Sequence, residues 1–329
     1  MKAITHSEFG PPDVLRLTDV DKPAPAAGEV LVRIRAASLN PADWHLLRGE
    51  PGMLKLMTGK PKHRIPGLDF AGEVEQVGTN VTHVRAGDEV FGSGKRGALA
   101  EYVCVPESVV ARKPVGVTFE QAAALPVAGV TALRAVRDRG GLRAGQRVLV
   151  IGAAGGVGTL AVQIAKAFGA QVTAVCGPRN LDFVRSIGAD HAIDYTAEDC
   201  TRTERPYDLI LHVSGNRSVQ DLRRALTPEG TVVVVGGGTG REKAPGGMLE
   251  MLGLMWRSTV LSRFSRQRVL ILLGTVRKGD LVSLAELAEA GRLTPVIDRA
   301  YPLAEAADAF RHLETGHVRG KVIVLPAAL

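Results

Sequence analysis

The sequence predicts an α/β protein of two domains: a doubly wound parallel sheet and a second, mainly antiparallel, partly barrel-like β domain. Three observations lead to this prediction. A chain of 329 residues, 45% of them hydrophobic, exceeds what one compact core usually fills. The first third alternates short β-type runs with Gly and Pro turns. From about Glu120, helical segments alternate with continuous apolar runs, as expected of parallel strands that are covered on both faces.

The predicted elements follow this division along the chain. The first third contains strands at residues 29–35, 71–77 and 101–105. The middle contains helices at 119–138, 158–168, 180–187 and 219–226, and strands at 147–151, 171–176, 207–212, 231–235 and, at an edge, 268–272. The last part, with helices at 281–290 and 304–315 and a strand at 321–325, lacks this alternation, so we assign it to the first domain. The predicted domains are residues 1–122 with 276–329, and residues 123–275, with an active cleft between them.

Composition and charge exclude several classes of function. The net charge of +7 is scattered and only 4% of the residues are aromatic, so we expect no nucleic-acid partner. Apolar runs are only as long as strands, and we expect no membrane association. The N-terminal residues lack an apolar signal segment, and three widely spaced cysteines provide neither a disulfide framework nor a four-cysteine zinc site. These features indicate a cytoplasmic protein.

A glycine-rich turn follows the predicted strand at 147–151 and precedes a helix. Glycines in such a turn let the backbone approach a pyrophosphate, and the start of the helix offers unpaired N–H groups and a positive dipole end. The alternative is an ordinary tight connection between strand and helix, but the order of strand, turn and helix favours a dinucleotide site. The candidate contacts are Ala153, Ala154, Gly155, Gly156 and Val157.

This segment resembles the signature of the zinc-independent quinone oxidoreductase (zeta-crystallin-like) branch of the medium-chain dehydrogenase/reductase superfamily. The resemblance lies in Gly145-Gln146, Leu149, the run from Ala153 to Gly158, Gln163 and Lys166, and in landmarks at 38–43, 65–72, 87–92, 125–132 and 320–324. It implies a Rossmann-type NADPH-binding domain at 123–275 and a GroES-like substrate domain. It also implies hydride transfer from NADPH to a quinone or an α,β-unsaturated carbonyl, a small apolar conjugated substrate.

The end of the second strand of the parallel sheet favours NADPH over NADH. No acid stands there to repel a 2′-phosphate, and Arg179 can form a charge-assisted contact with that group. The family resemblance adds Tyr195 near the same phosphate. The alternatives are that Arg179 is a solvated residue at a helix start and that Tyr195 caps the sheet edge. The resemblance extends the cofactor contacts to Asn40, Thr131, Cys176, Gly177, Asn180, Val213, Ser214, Gly236 and Lys321.

Two positions that hold metal ligands in zinc-dependent relatives are occupied here by Asn40 and Leu68, and the histidines lack paired ligand spacing. We therefore expect no catalytic metal. Asn40 is the candidate for orienting the nicotinamide ribose or the substrate oxygen; the alternative is that it shapes the turn before Pro41. Asp43 is expected to hold the geometry of that loop. The proton comes from the loop residue His45 or from water, and an idle His45 is the stronger expectation.

Further expectations concern the substrate, one departure from the family and the oligomer. Six residues could line an apolar slot or simply pack in the core: Met53, Leu54, Met57, Met251, Met255 and Trp256. His212 stands where relatives usually have Asp. The edge strand near Val269 predicts a homodimer. The rival functions are the reduction of simple carbonyls and a noncatalytic, crystallin-like NADPH-binding protein.

Overall fold

The computed structural model describes residues 1–50, 61–214, 217–235, 266–272 and 275–326. Its strands are β1 (Lys2–Thr5), β2 (Arg16–Asp19), β3 (Glu29–Ser38), β4 (Asp69–Val77), β5 (Glu89–Ser93), β6 (Tyr102–Pro106), β7 (Val110–Arg112), β8 (Arg147–Ile151), β9 (Gln171–Cys176), β10 (His191–Asp194), β11 (Tyr207–His212), β12 (Leu226–Val235), β13 (Arg268–Leu272), β14 (Ile297–Pro302) and β15 (Lys321–Leu325). Its helices are α1 (Pro41–Arg48), α2 (Phe119–Ala123), α3 (Pro126–Arg134), α4 (Gly156–Ala167), α5 (Leu181–Ser186), α6 (Val219–Arg224), α7 (Lys278–Glu289) and α8 (Ala306–Glu314).

The chain divides into two compact units. The first comprises Met1–Val130, Thr275–Gly291 and Pro295–Leu329, and the second comprises Thr131–Gly274 and Arg292–Thr294. The first unit extends beyond the predicted boundary at residue 122 because α2 packs on β3 and β4, and α3 begins in the same unit. The assignment of a substrate domain and a cofactor domain to residues 1–122 with 276–329 and 123–275 remains a prediction.

The first unit contains a mainly antiparallel sheet in the order β14-β15-β3-β4-β5-β7, with β6 also paired to β3. Only β14 and β15 run parallel, and β1 and β2 form a separate antiparallel pair. From Val32 to Ala36, β3 alternates buried apolar residues with half-buried arginines, and the residues on either side of this stretch are buried in succession. The core includes Phe70, Leu39 and Phe310, all at most 1% exposed.

The second unit is a parallel sheet in the order β10-β9-β8-β11-β12-β13. β8 is buried along almost its whole length, which explains its continuous run of apolar side chains. The chain passes from β8 to β9 on one side and returns to β11 on the other. The carboxyl ends of β8 and β11 therefore meet at a topological switch point, where doubly wound sheets bind ligands. The α/β fold class and both sheet types agree with the sequence prediction.

The predicted helix at 119–138 is wrong as a single element. It is divided after α2, and Pro126 begins α3, because proline lacks the N–H that a continuing helix would need but fits the first helical position. α3 then runs into a π-helical turn, Ala135–Arg139. Among the described residues, no helix is both long and apolar enough to cross a bilayer.

The three cysteines, Cys104, Cys176 and Cys200, are free thiols. Burial raises the pKa of the Cys104 and Cys176 thiols to about 11 each. It also raises the pKa of Cys200. All three thiols therefore remain protonated at neutral pH.

Candidate functional site

The glycine-rich turn of the second unit joins β8 to α4. The Gly152 and Ala153 N–H groups donate to the Val175 carbonyl at 3.1 and 3.0 Å, which ties the turn to the end of β9. Gly155 is the N-cap of α4, and the first turn of that helix contains Gly156 and Val157. The N–H groups of a first helical turn have no intrahelical acceptors, so they are available to an anion placed at the helix start.

Three positions of this turn hold glycine, each for a different physical reason. Gly152 has φ of +85°, and a Cβ there would lie 2.2 Å from the Ser214 hydroxyl oxygen. A Cβ on Gly158 would lie 2.1 Å from the Gly152 carbonyl oxygen, so close packing of helix on strand requires glycine. Of the described residues, a Cβ on Gly155 would meet only the Gly152 carbonyl oxygen, at 3.7 Å. Among the described residues, the space before Gly155 is thus open where a side chain would otherwise project.

The end of β9 carries the residues that were predicted to contact a 2′-phosphate. Cys176 is buried and is followed by Gly177 and the short helical turn Pro178–Asn180, in which Arg179 is exposed. Tyr195 directly follows β10, is 55% exposed, and its ring lies about 3.6 Å from where a Cβ on Gly177 would stand. The guanidinium of Arg179 and the phenol of Tyr195 supply a positive charge and hydrogen-bond donors in this region.

Val213 and Ser214 lie at the switch point, because their N–H groups approach the Ile151 carbonyl at 3.0 and 3.4 Å. His212 is the last residue of β11, opposite Ile151 on β8 and Val234 on β12. Burial lowers the pKa of His212, and its Nε2 has no hydrogen-bond partner among the described residues. The imidazole is therefore neutral at physiological pH, where an aspartate would be charged.

The other signature residues of this segment are structural. The Gln163 side chain exchanges two hydrogen bonds with the backbone of Thr294, at 2.9 and 2.7 Å. Lys166 forms an ion pair with Asp190 at 2.8 Å, and Asp190 also accepts from the Val172 N–H. Both residues hold α4 against its neighbours. Thr131, a predicted cofactor contact, is half-buried in α3.

A buried polar cluster occupies the first unit. It consists of Asn40, Asp43, Asp69 and Lys321, each at most 4% exposed. The Lys321 ammonium donates to the Asn40 Oδ1 at 2.6 Å and to the Leu39 carbonyl at 2.9 Å. The Asn40 Nδ2 donates to Asp69 Oδ2 at 2.9 Å, and that oxygen lies 3.9 Å from the Lys321 Nζ. The Asn40 N–H donates to Asp43 Oδ2 at 2.8 Å.

Burial and mutual charge shift the pKa values of this cluster. Burial raises the pKa of the Asp43 carboxyl to about 7, against the hydrogen bond from the Asn40 N–H. Burial also raises the pKa of Asp69, against the attraction of Lys321, and lowers the pKa of Lys321. Asp43 Oδ1 has no hydrogen-bond partner among the described residues. Asp69, in contrast, accepts hydrogen bonds from the Asn40 amide and the Val127 N–H.

The segment of Asn40, Asp43 and His45 is a helix, so the prediction of a loop is wrong. Asn40 is the N-cap of α1, Pro41 is its first residue, and Asp43 forms the reciprocal capping contact. The signal was present in the sequence as N-cap, proline and acid at the proper spacing. His45 lies half-buried on α1, with its ring 4.7 Å from that of Trp44.

The Asn40 position is poorly suited to a metal. Its Oδ1 already accepts from the Lys321 ammonium, whose positive charge would repel a cation bound to the same oxygen. Within the described ranges, no group of three His, Cys, Asp or Glu side chains is arranged to hold a metal ion.

Sequence reasoning did not select Asp69 as a site residue. The one signal was an acid inside the apolar run Leu68-Asp69-Phe70-Ala71, where a charge needs a partner. Several predicted contacts lie outside the described residues: Gly236 and the slot residues Met53, Leu54, Met57, Met251, Met255 and Trp256.

Comparison with known proteins identifies the family of this chain. Residues 26–115 match the model of the alcohol dehydrogenase GroES-like domain, and residues 187–324 match that of the zinc-binding dehydrogenase family. The chain is 34% identical to the chloroplast envelope quinone oxidoreductase homolog of Arabidopsis thaliana, over 99% of this chain and 98% of that protein. The chain belongs to the quinone oxidoreductase branch of the medium-chain dehydrogenase/reductase superfamily.

Two further members of this superfamily extend the likeness. An NADPH-dependent alkenal/one oxidoreductase of Arabidopsis thaliana is 36% identical, over 99% of this chain and 80% of its own length. The structure of the quinone oxidoreductase from Coxiella burnetii superimposes with a TM-score of 0.83 at 33% identity and covers 99% of both chains. The protein is thus an oxidoreductase of the nicotinamide-dependent kind.

Proposed function

We propose that this protein transfers a hydride from NADPH to a quinone or an α,β-unsaturated carbonyl without zinc. The observation that supports this most is the contact between Asn40 Oδ1 and the Lys321 ammonium, at a position where zinc-dependent relatives have a metal ligand. A site that offers hydrogen-bond donors in place of a Lewis acid stabilises a developing oxyanion less, by several kcal/mol. A conjugated substrate compensates because it spreads the developing charge over its own π system.

The residues of the second unit fit NADPH. The open space before Gly155 and the start of α4 would receive the pyrophosphate, and Arg179 with Tyr195 would bind the 2′-phosphate. When bound, NADPH supplies the hydride. The absence of an acid in the turn after β9 favours NADPH over NADH, since a carboxylate there would repel a phosphate. The relative that is named NADPH-dependent agrees with this choice.

In this proposal, residues of the first unit orient the cofactor or the substrate and stabilise its oxygen. Asn40 and Lys321 donate hydrogen bonds to the cofactor ribose or to the substrate oxygen, and Asp43 fixes the Asn40 backbone. The proton that completes the reduction comes from His45 or from solvent. His45→Ala distinguishes these sources: a large fall in kcat with unchanged NADPH affinity identifies His45 as the donor, and normal turnover identifies solvent.

The deciding experiment compares substrates. NADPH consumption is measured with a quinone, with an enone and with the corresponding saturated ketone, each with and without EDTA. We expect the quinone and the enone to react far faster than the ketone, with no effect of EDTA and no stoichiometric zinc. Deuterium from labelled NADPH should appear on the β-carbon of the enone. Label on a carbinol carbon would favour a simple carbonyl reductase, chelator-sensitive turnover would contradict the metal-free reaction, and tight NADPH binding without any turnover would favour a noncatalytic protein.

Two further parts of the proposal concern assembly and location. β13 pairs with β12 on one side, and within the part of the chain that the structure describes no strand pairs with its other edge. Val269, Leu270 and Ile271 are half-buried there, so pairing with a second copy would cover apolar edge residues and satisfy their backbone groups. We also propose a cytoplasmic location, which the free thiols support because a reducing compartment keeps them unpaired.

A further inference from the structure

The side-chain amide of Asn40 is held in one orientation by its neighbours. A lysine ammonium only donates hydrogen bonds, so the atom 2.6 Å from Lys321 Nζ must be the amide oxygen. A carboxylate only accepts, so the atom 2.9 Å from Asp69 Oδ2 must be the amide nitrogen. A 180° rotation of the amide would bring donor against donor and acceptor against acceptor. Lys321 and Asp69 thus exclude the flipped amide.

Asp69, which orients the Asn40 amide, is itself held by several contacts. It is fully buried at the start of β4, and its two oxygens lie 3.3 and 3.1 Å from the Val127 N–H. Val127 is the second residue of α3, so the carboxylate sits at the positive end of that helix. The Ser93 side chain also hydrogen bonds to Asp69 and, like these other contacts, favours its charged form. The Asn40 amide and the Val127 N–H both donate to Asp69, so its oxygens act as acceptors in the cluster.

The cluster retains donors after its internal hydrogen bonds are counted. Lys321 has three N–H groups, of which two are directed to Leu39 and Asn40. The Asn40 amide has two, of which one is directed to Asp69. Among the described residues, no acceptor is found for the remaining ammonium N–H and the remaining amide N–H. These are the donors that a ribose hydroxyl or a carbonyl oxygen would accept.

We propose that Asp69 is a positioning residue of the active site, which fixes the Asn40 amide and the Lys321 ammonium so that both keep a donor for a ligand oxygen. This inference rests on the proposed function, because it takes Asn40 and Lys321 as ligand contacts. Asp69 itself acts through these two residues and does not touch the ligand. Its loss therefore affects turnover by removing one of the two contacts that hold the amide, which a purely structural carboxylate would not do.

The test uses Asp69→Asn in the full-length protein. An asparagine at 69 presents either a donor or an acceptor, so Lys321 alone still selects the orientation of the Asn40 amide. We expect kcat/KM for an enone at saturating NADPH to fall at least thirtyfold. The matched control is Asp280→Asn, since Asp280 is also a buried aspartate of the first unit, 6% exposed, outside the cluster. This control should lower the melting temperature without changing kcat/KM.

A second variant keeps the test valid if Asp69→Asn does not fold because the charge at position 69 is lost. The exchange Asn40→Asp with Asp69→Asn keeps the groups of the cluster: one amide, two carboxyls and one ammonium. We expect this double variant to melt near the wild type and still to lose at least thirtyfold in kcat/KM, because the amide is at the wrong position. Wild-type kcat/KM in a folded Asp69→Asn protein, or in the exchange variant, would overturn the proposal.

If the proposed function is wrong, the experiments give a different result. If the wild type consumes no NADPH with a quinone or an enone, the function is wrong whatever the variants do. The positioning role is then judged on the dissociation constant of NADPH: a tenfold rise in Asp69→Asn, absent in Asp280→Asn, supports it, and equal values contradict it.

Discussion

The open space before Gly155 leads to a prediction that separates cofactor binding from folding. In Gly155→Ala, the nearest atom of the described part of the chain to the new methyl group is the Gly152 carbonyl oxygen at 3.7 Å, an ordinary van der Waals contact. The backbone at Gly155, with φ of −80° and ψ of 178°, is one that alanine readily adopts. The methyl group does occupy the space that the pyrophosphate would enter. We therefore expect a folded protein with weakened NADPH binding.

Two effects of the alanine on protein stability oppose each other. Alanine reduces the conformational entropy of the unfolded chain, which stabilises by about 0.4–1 kcal/mol, but it is a poorer N-cap than glycine by a similar amount. The melting temperature should therefore shift by no more than about 3 °C. A phosphate moved away from the first turn of α4 loses at least one charge-assisted hydrogen bond, about 1.5–3 kcal/mol. The dissociation constant of NADPH should rise roughly ten- to hundredfold.

The assay is fluorescence titration of NADPH combined with thermal unfolding, and the matched control is Gly158→Ala in the same turn. There the methyl group would lie 2.1 Å from the Gly152 carbonyl oxygen and 2.7 Å from the Ala153 Cα, both backbone atoms that cannot easily move. Overpacking of this kind costs about 1–3 kcal/mol or more, so this control should lose stability first. An NADPH affinity within twofold of wild type in Gly155→Ala would refute the reasoning, as would a loss of stability equal to that of Gly158→Ala.

Two other predictions concern charge. Arg179→Ala should raise the dissociation constant of NADPH at least tenfold and leave that of NADH unchanged. The control Arg185→Ala on α5 should alter neither dissociation constant. Equal affinities for the two cofactors in the wild type would contradict the 2′-phosphate site. Asp43 has a pKa of about 7 in the folded protein, above its ordinary 3.8, so its contribution to stability is complete below about pH 4 and disappears as the pH rises to 7. Relative to Asp43→Asn, the wild type should therefore lose about 2 kcal/mol of unfolding free energy between pH 5 and pH 7 in urea titrations, and parallel pH dependences would disprove the assignment.

Sequence reasoning was most reliable where the information is local. β8, β9, β11, β13 and β15 have the predicted bounds, because each is an apolar run with clear turn signals at its ends. The cofactor turn was also readable, since strand, glycines and helix follow one another directly. α1 was missed because its eight residues are too few for a periodic pattern, although its capping residues signalled the start of a helix.

The polar cluster of the first unit could not be predicted in its geometry. Asn40 and Lys321 are separated by 281 positions, and no spacing rule connects residues so far apart. The family resemblance named both as contacts but gave no reason for Asp69. Only the pairing of β3 with β4 and with β15 brings the three side chains together. Long-range strand pairing is the step that a single sequence leaves open.

The protonated cysteines have a consequence for a protein that reduces electrophiles. Quinones and enones alkylate thiolates, and the thiolate is the reactive form of cysteine. A thiol with a pKa of about 11, as for Cys104 and Cys176, is ionised in roughly one molecule in ten thousand at pH 7, about a hundredfold less than at its ordinary pKa of 9.0. Cys176 lies directly at the proposed cofactor site. The fold thus protects the protein against self-inactivation by the compounds that it is proposed to consume.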